Sequence, residues 1–185
     1  MEFDLTDEEK RILIETARES IAAHLEGRWG KYPEPTEKLE TVCGAFVTLH
    51  IDGRLRGCIG NITGSKPLHE GVRELAVSSA FRDPRFPPLG EKEFEHIDVE
   101  ISVLSPLEKA SSPEEVEVGT HGLLLRSGYR SGVLLPQVPV EQGWDREEFL
   151  DHTCRKAGLP AGCWKNEDTE LYLFTAIVFG EEEER

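Results

Sequence analysis

Near the N-terminus, apolar residues recur at Leu13, Ile14, Ala17, Ile21 and Leu25, the steps of a helix with one buried face. This spacing predicts a helix over about Thr6 to Glu26, opened by a Thr6/Glu9 capping box and stopped by Gly27. After an aperiodic connection carrying Pro33 and Pro35, the pattern changes to strand alternation over Ala45 to Ile51. Asp52-Gly53 then signals a two-residue hairpin into Arg54 to Ile59. With a two-residue loop Ile51 faces Arg54, Leu49 faces Arg56 and Val47 faces Cys58, so all six side chains share one face of the ladder, whereas a three-residue loop would flip this pairing.

A second helical stripe, Leu68, Val72, Leu75 and Ala76, predicts a helix from about Pro67 to Phe81. It ends at Asp83-Pro84-Arg85-Phe86-Pro87-Pro88, which three prolines make a rigid surface loop presenting Arg85 and Phe86. Ile97 to Leu104 alternates cleanly and places Glu100 and Ser102 on its polar face. Further strands are expected at Gly122 to Arg126, at Ser131 to Leu135 and as one run over Leu171 to Phe179. A helix is expected from Asp145 to Ala157, with an Asp145/Glu148 box and Gly158 as its stop. Irregularly interspersed helices and two hairpins predict an α+β fold with a mainly antiparallel sheet and flanking helices. A chain of 185 residues suits a single domain, here 1-185 with an acidic tail at 181-185.

Charge and cysteine usage narrow the function. A net charge of -15 opposes the attraction that supplies most non-specific nucleic-acid affinity, so nucleic acid is an unlikely partner. The run Glu181 to Glu184 reads as a solvated tail. The chain start lacks a signal-peptide layout and no apolar run approaches a membrane span, so a soluble cytoplasmic protein is expected. Cys43, Cys58, Cys154 and Cys163 form no C-x-x-C pair, and in a reducing compartment they read as free thiols. His152 and Cys154 stand at a spacing that puts them on different helix faces, so no metal site is expected. Walker, dinucleotide and serine-hydrolase signatures are absent from the sequence, and no cofactor is implied.

The most distinctive chemistry lies in Leu55-Arg56-Gly57-Cys58-Ile59-Gly60, where two glycines inside a strand mark a bulge or a close approach by backbone or ligand. Arg56 and Cys58 share a face in the regular register, so a guanidinium stands where it favours a thiolate. The competing reading is a thiol packed as a small hydrophobe beside Val47 and Leu49.

This LRGCIG motif is followed by Asp83-Pro84-Arg85-Phe86, Ile101-Ser102-Val103-Leu104-Ser105-Pro106, His121-Gly122-Leu123, Leu135-Pro136-Gln137 and Lys156-Ala157-Gly158-Leu159. In that order the motifs resemble the AMMECR domain family, from about Val42 to the last strand, and in particular protein A of the prokaryotic AmmeMemoRadiSam system. The resemblance implies a larger and a smaller subdomain, no established biochemical activity, and two partners, a Memo-like protein and a radical S-adenosylmethionine enzyme. It marks Thr48, Arg56, Cys58, Asp83, Arg85, Glu100, Ser102, His121 and Gln137.

Three functional readings follow. In the first, an accessory or binding module uses Thr48, Arg56, Asp83, Arg85, Ser102 and Gln137 to line a site for a small anionic ligand or a partner segment. In the second, Cys58 is a nucleophile with His121 or Glu100 as proton carrier. In the third, an RNA-related regulatory or modification role, the acidic composition gives no support. Each marked residue also has a structural reading: Asp83 braces the proline loop, Arg85 pairs with Glu100, and His121 and Gln137 satisfy backbone groups in turns.

Overall fold

The computed structural model describes residues 3–181. In chain order the elements are α1 (Asp7–Glu26), β1 (Ala45–Ile51), β2 (Arg54–Asn61), α2 (Leu68–Phe81), α3 (Glu91–Phe94), β3 (Ile97–Leu104), β4 (Glu108–Lys109), β5 (Gly122–Ser127), β6 (Arg130–Leu134), α4 (Gln137–Gln142), α5 (Arg146–Lys156), β7 (Glu170–Phe174) and β8 (Ala176–Gly180), with short 3-10 turns between some of them. The fold is α+β. Two four-stranded sheets, ordered β2-β1-β3-β8 and β4-β7-β5-β6, belong to two compact units. The larger unit holds the chain up to Leu104 and from Ile177 onward, and the smaller runs from Ser105 to Ala176.

Helix α1 begins as its sequence dictates. The Thr6 hydroxyl accepts the Glu9 N–H, the Glu9 carboxylate accepts the Thr6 N–H at 2.8 Å, and Gly27 closes the helix at a left-handed φ of 64°. Its apolar stripe and that of α2 pack on the face of the first sheet formed by Val47, Leu49, Val99 and Ile101, all at most 1% exposed. The second unit has its own core, in which Phe149 and Leu150 of α5 cover Leu123, Leu171 and Leu173.

The β1–β2 hairpin turns at Asp52 (φ 51°) and Gly53 (φ 71°), the left-handed pair that a tight hairpin needs. Ile51 faces Arg54 as expected, but the register then slips: Leu49 faces Gly57, Thr48 faces Cys58 and Val47 faces Ile59. Arg56 is the extra residue of a bulge. The pairing expected from an unbroken ladder is therefore corrected, and every side chain after Arg56 changes face. The bulge gives Gly57 and Gly60 their purpose. A Cβ on Gly57 would stand 2.1 Å from the Ser79 carbonyl oxygen of α2, and one on Gly60 would enter the Phe46 ring at 2.3 Å. What comes close to the glycines is the protein's own helix and ring.

Three other expectations change. The single strand over Leu171 to Phe179 is two strands in two sheets, β7 and β8, separated at Thr175. Thr175 exchanges two hydrogen bonds with Ser105, its N–H donating to Ser105 Oγ at 2.8 Å and its carbonyl accepting the Ser105 N–H at 2.9 Å. The apolar pattern continues across this corner, so alternation alone does not expose it. Secondly, Cys154 and Cys163 are not free thiols but a buried disulfide. Gly158 and Gly162, at φ 74° and 82°, fold the chain back so that the two Cα atoms lie 5.9 Å apart, although nine positions separate them in sequence. Thirdly, Glu181 is not a solvated tail residue: its carboxylate pairs with Arg18 of α1 and accepts the Val99 N–H at 2.9 Å. The rest of the expected tail lies outside the described residues.

Candidate functional site

The shifted register takes Cys58 off the core face. Reading across the first sheet, Cys58, Thr48 and Glu100 form one transverse row over β2, β1 and β3, and Gly60, Phe46 and Ser102 form the next. Both rows lie on the face opposite Val47, Leu49 and α2. Thr48, Cys58 and Glu100 are half-buried and Ser102 is buried. The Thr48 hydroxyl donates a hydrogen bond to the Cys58 sulfur at 3.2 Å. Directly opposed side chains sit about 5 Å apart at Cβ, so Glu100 is the next group beyond Thr48.

Strand β2 is an edge of its sheet, and the outward N–H and C=O of Cys58 would be left unpaired there. The proline loop pairs them. Asp83 Oδ2 accepts the Cys58 N–H at 2.9 Å, and Arg85 Nη2 donates to the Cys58 carbonyl at 3.4 Å. Asp83 is 3% exposed and also accepts the Arg85 backbone N–H and two guanidinium N–H groups at 2.7 to 3.0 Å. The Arg85 guanidinium, followed by the Cys58 and Arg85 N–H groups, holds the Asp83 carboxyl far below the usual carboxylate range against the opposing effect of burial. The ion pair of Arg85 is thus with Asp83, and not with Glu100 as one reading of the sequence has it. The Arg85 side chain stays 54% exposed at the end of the row.

Arg56 turns away from Cys58. Its guanidinium grips Glu93 of α3 through two hydrogen bonds of 2.8 and 3.1 Å, donates to the Pro87 carbonyl at 2.8 Å and lies over the Phe86 ring. That pairing, with help from the Gly90 N–H, lowers the pKa of Glu93. Nη1 of Arg56 is buried with no hydrogen-bond partner among the described residues. The cation beside the Cys58 segment is therefore Arg85, while the charge of Arg56 is largely met by Glu93.

Serine 79 is the site residue that sequence reading misses. Its hydroxyl sits inside the hairpin ladder, donating to the Val47 carbonyl at 2.7 Å and accepting the Ile59 N–H at 3.0 Å. The signal was present: Ser79 continues the Val72, Leu75, Ala76 stripe at helical spacing, a polar residue on an apolar face. Glu93 had no comparable signal. His121 and Gln137 belong to the second unit. His121 Nδ1 accepts the Glu117 N–H at 3.1 Å, and Gln137 is the exposed first residue of α4. Among the described residues no three His, Cys, Asp or Glu side chains are grouped to hold a metal, and no helix is long and apolar enough to cross a membrane.

Comparison with known proteins agrees with this architecture. The AMMECR1 family model matches residues 14–179. Protein MK0488 of Methanopyrus kandleri is 49% identical, the match covering 97% of this chain and 91% of the relative. Protein PH0010 of Pyrococcus horikoshii is 45% identical over 98% of this chain and 94% of its own length. The crystal structure of that uncharacterized Pyrococcus protein superposes with a TM-score of 0.81, covering 97% of this chain and 95% of the other. The chain belongs to the AMMECR1 family.

Proposed function

We propose that this protein is an accessory binding module whose recognition surface is the Cys58–Thr48–Glu100 row with Arg85 at its edge, and that its partners are a Memo-like protein and a radical S-adenosylmethionine enzyme. The observation that carries the reading is the hydrogen-bond environment of the thiol. The Cys58 sulfur accepts a hydrogen bond from Thr48, its backbone is pinned by Asp83 and Arg85, and no imidazole or carboxylate is hydrogen-bonded to the sulfur among the described residues. A base hydrogen-bonded to the sulfur is one common way to activate a thiol and is missing here, whereas a rigid, half-buried polar row with one exposed guanidinium suits recognition of a carboxylate or carbonyl. The exposed part of Arg85 supplies the donors for a small anionic group.

The test is retention of the two partners on immobilised protein. Arg85→Ala and Glu100→Gln lower retention while Cys58→Ser preserves it, with circular dichroism reporting that each variant is folded. Retention by Arg85→Ala equal to wild type removes the proposal.

A cysteine enzyme is the alternative, and the Thr48 hydroxyl beside the sulfur favours it, because a donor to sulfur stabilises a thiolate. Iodoacetamide labelling against pH separates the two. Cys43 is buried and its thiol is pushed up to about 11 by desolvation, and Cys154 and Cys163 are disulfide-bonded, so alkylation reports Cys58. Rapid labelling well below the ordinary thiol range of about 8.5 supports the enzyme, and labelling that follows an ordinary thiol supports the binding module.

A further inference from the structure

On the opposite side of the hairpin from the Cys58 row, the first unit has a cavity of about 200 Å³ between the β1–β2 strands and the N-terminal half of α2. Ala45, Ile59, Leu68 and Leu75 give it an apolar part, and Asn61, Ser65 and Ser78 line it as well. Cys43 also lines it and adds no charge, since burial pushes its thiol up to about 11. The rim carries one charge of each sign, Lys66 and Glu74, which pair with each other.

Gly71, the fourth residue of α2, lies at this cavity and is not explained by packing. Glycine within a helix is destabilising relative to alanine, and here nothing stands within 4 Å of the position a Cβ would take. What the missing side chain leaves is open space beside the cavity. Lys66 and Glu74 are 36% and 65% exposed at the side chain, and an ion pair so exposed opens readily. No side chain caps the first turn of α2; the Leu68 N–H goes to the Thr41 carbonyl, and those of His69 and Glu70 add to the attraction for a carboxylate near Lys66.

We propose that this cavity binds a free apolar α-amino acid. Its carboxylate takes Lys66 and the start of α2, its ammonium takes Glu74, and its side chain rests on Leu68 and Leu75. A space of about 150 Å³ holds a benzene-sized molecule, so about 200 Å³ leaves room for an aliphatic side chain of leucine size. The paired rim selects for a zwitterion: a simple anion meets the charge of Glu74 and a simple cation meets that of Lys66. A peptide end brings only one of the two charges. The site is independent of the Cys58 row and of the reading placed on it.

Proton–nitrogen correlation spectra of the labelled protein test it, with L-leucine as probe and 4-methylpentanoate and isoamylamine as single-charge controls. Leucine is expected to move the Ser65, Gly71 and Glu74 amides saturably, with each control about three- to fivefold weaker, as the loss of one exposed ionic contact predicts. Gly71→Ala is expected to raise the melting temperature while weakening leucine, a pair of opposite effects that simple loss of fold does not produce. Glu74→Gln weakens leucine and spares 4-methylpentanoate. The proposal is overturned if leucine moves none of these amides, if 4-methylpentanoate binds as well as leucine, or if Gly71→Ala binds leucine like wild type.

Discussion

A single inserted residue decides what Cys58 is. Without the bulge at Arg56 the thiol would sit among Val47 and Leu49; with it, Cys58 stands beside Thr48 on the other face. Composition and alternation do not reveal this, because Asp52-Gly53 fixes where the hairpin begins but not whether the ladder remains unbroken. The paired glycines in the motif were the legible hint, since a glycine inside a strand marks a bulge or a close approach. At this scale Asp83 carries a pH dependence. Its carboxyl titrates lower in the folded chain than in the unfolded one, so its contribution to stability is full above the unfolded value of about 4 and is lost as pH falls from there toward the folded value. Asp83→Asn is expected to flatten the acid limb of stability below about pH 4, as read by urea unfolding at stepped pH. An unchanged acid limb would show that the Arg85 contacts do not depress this carboxyl.

Elements with ends written into the sequence were the most legible. The helices α1 and α5 begin at their capping boxes and stop at glycine, because caps and periodicity are local physics. The corner at Thr175, the short helix α4 and the disulfide were not legible, since each depends on a contact between segments that local patterns do not record. Helix α2 is built into the first sheet through Ser79, whose hydroxyl bridges the paired Val47 carbonyl and Ile59 N–H. Ser79→Ala leaves a buried N–H and a buried carbonyl without their partner, at a cost of about 1–3 kcal/mol, and the Ile59 amide is expected to lose hydrogen-exchange protection. Retained protection at Ile59 would mean that the strands close directly. In the second unit, the disulfide ties the end of α5 to the turn that follows it. Cys163→Ser is expected to destabilise the protein by about 2–3 kcal/mol, and a reductant should lower the wild-type melting temperature without affecting the variant.

For the whole molecule, the α+β class and the antiparallel pairing follow from alternating segments separated by turn signals, whereas the division into a larger and a smaller unit was implied by the motif resemblance and not by the pattern, which read as a single domain. The motif order carried the family. Charge was legible as a total of -15, but its placement was not: Asp83, Glu93 and Glu181 are committed to Arg85, Arg56 and Arg18, so these acids are structural rather than spread over a repelling surface. With Arg56 held by Glu93, Arg85, Glu100 and the half-exposed Cys58 remain to meet a partner. The most direct measurement of that claim is footprinting of Cys58 with iodoacetamide, alone and with saturating Memo-like protein. If the row is the recognition surface, alkylation slows in proportion to occupancy, and the complex still forms with Cys58→Ser. An alkylation rate unchanged in the complex would contradict the account.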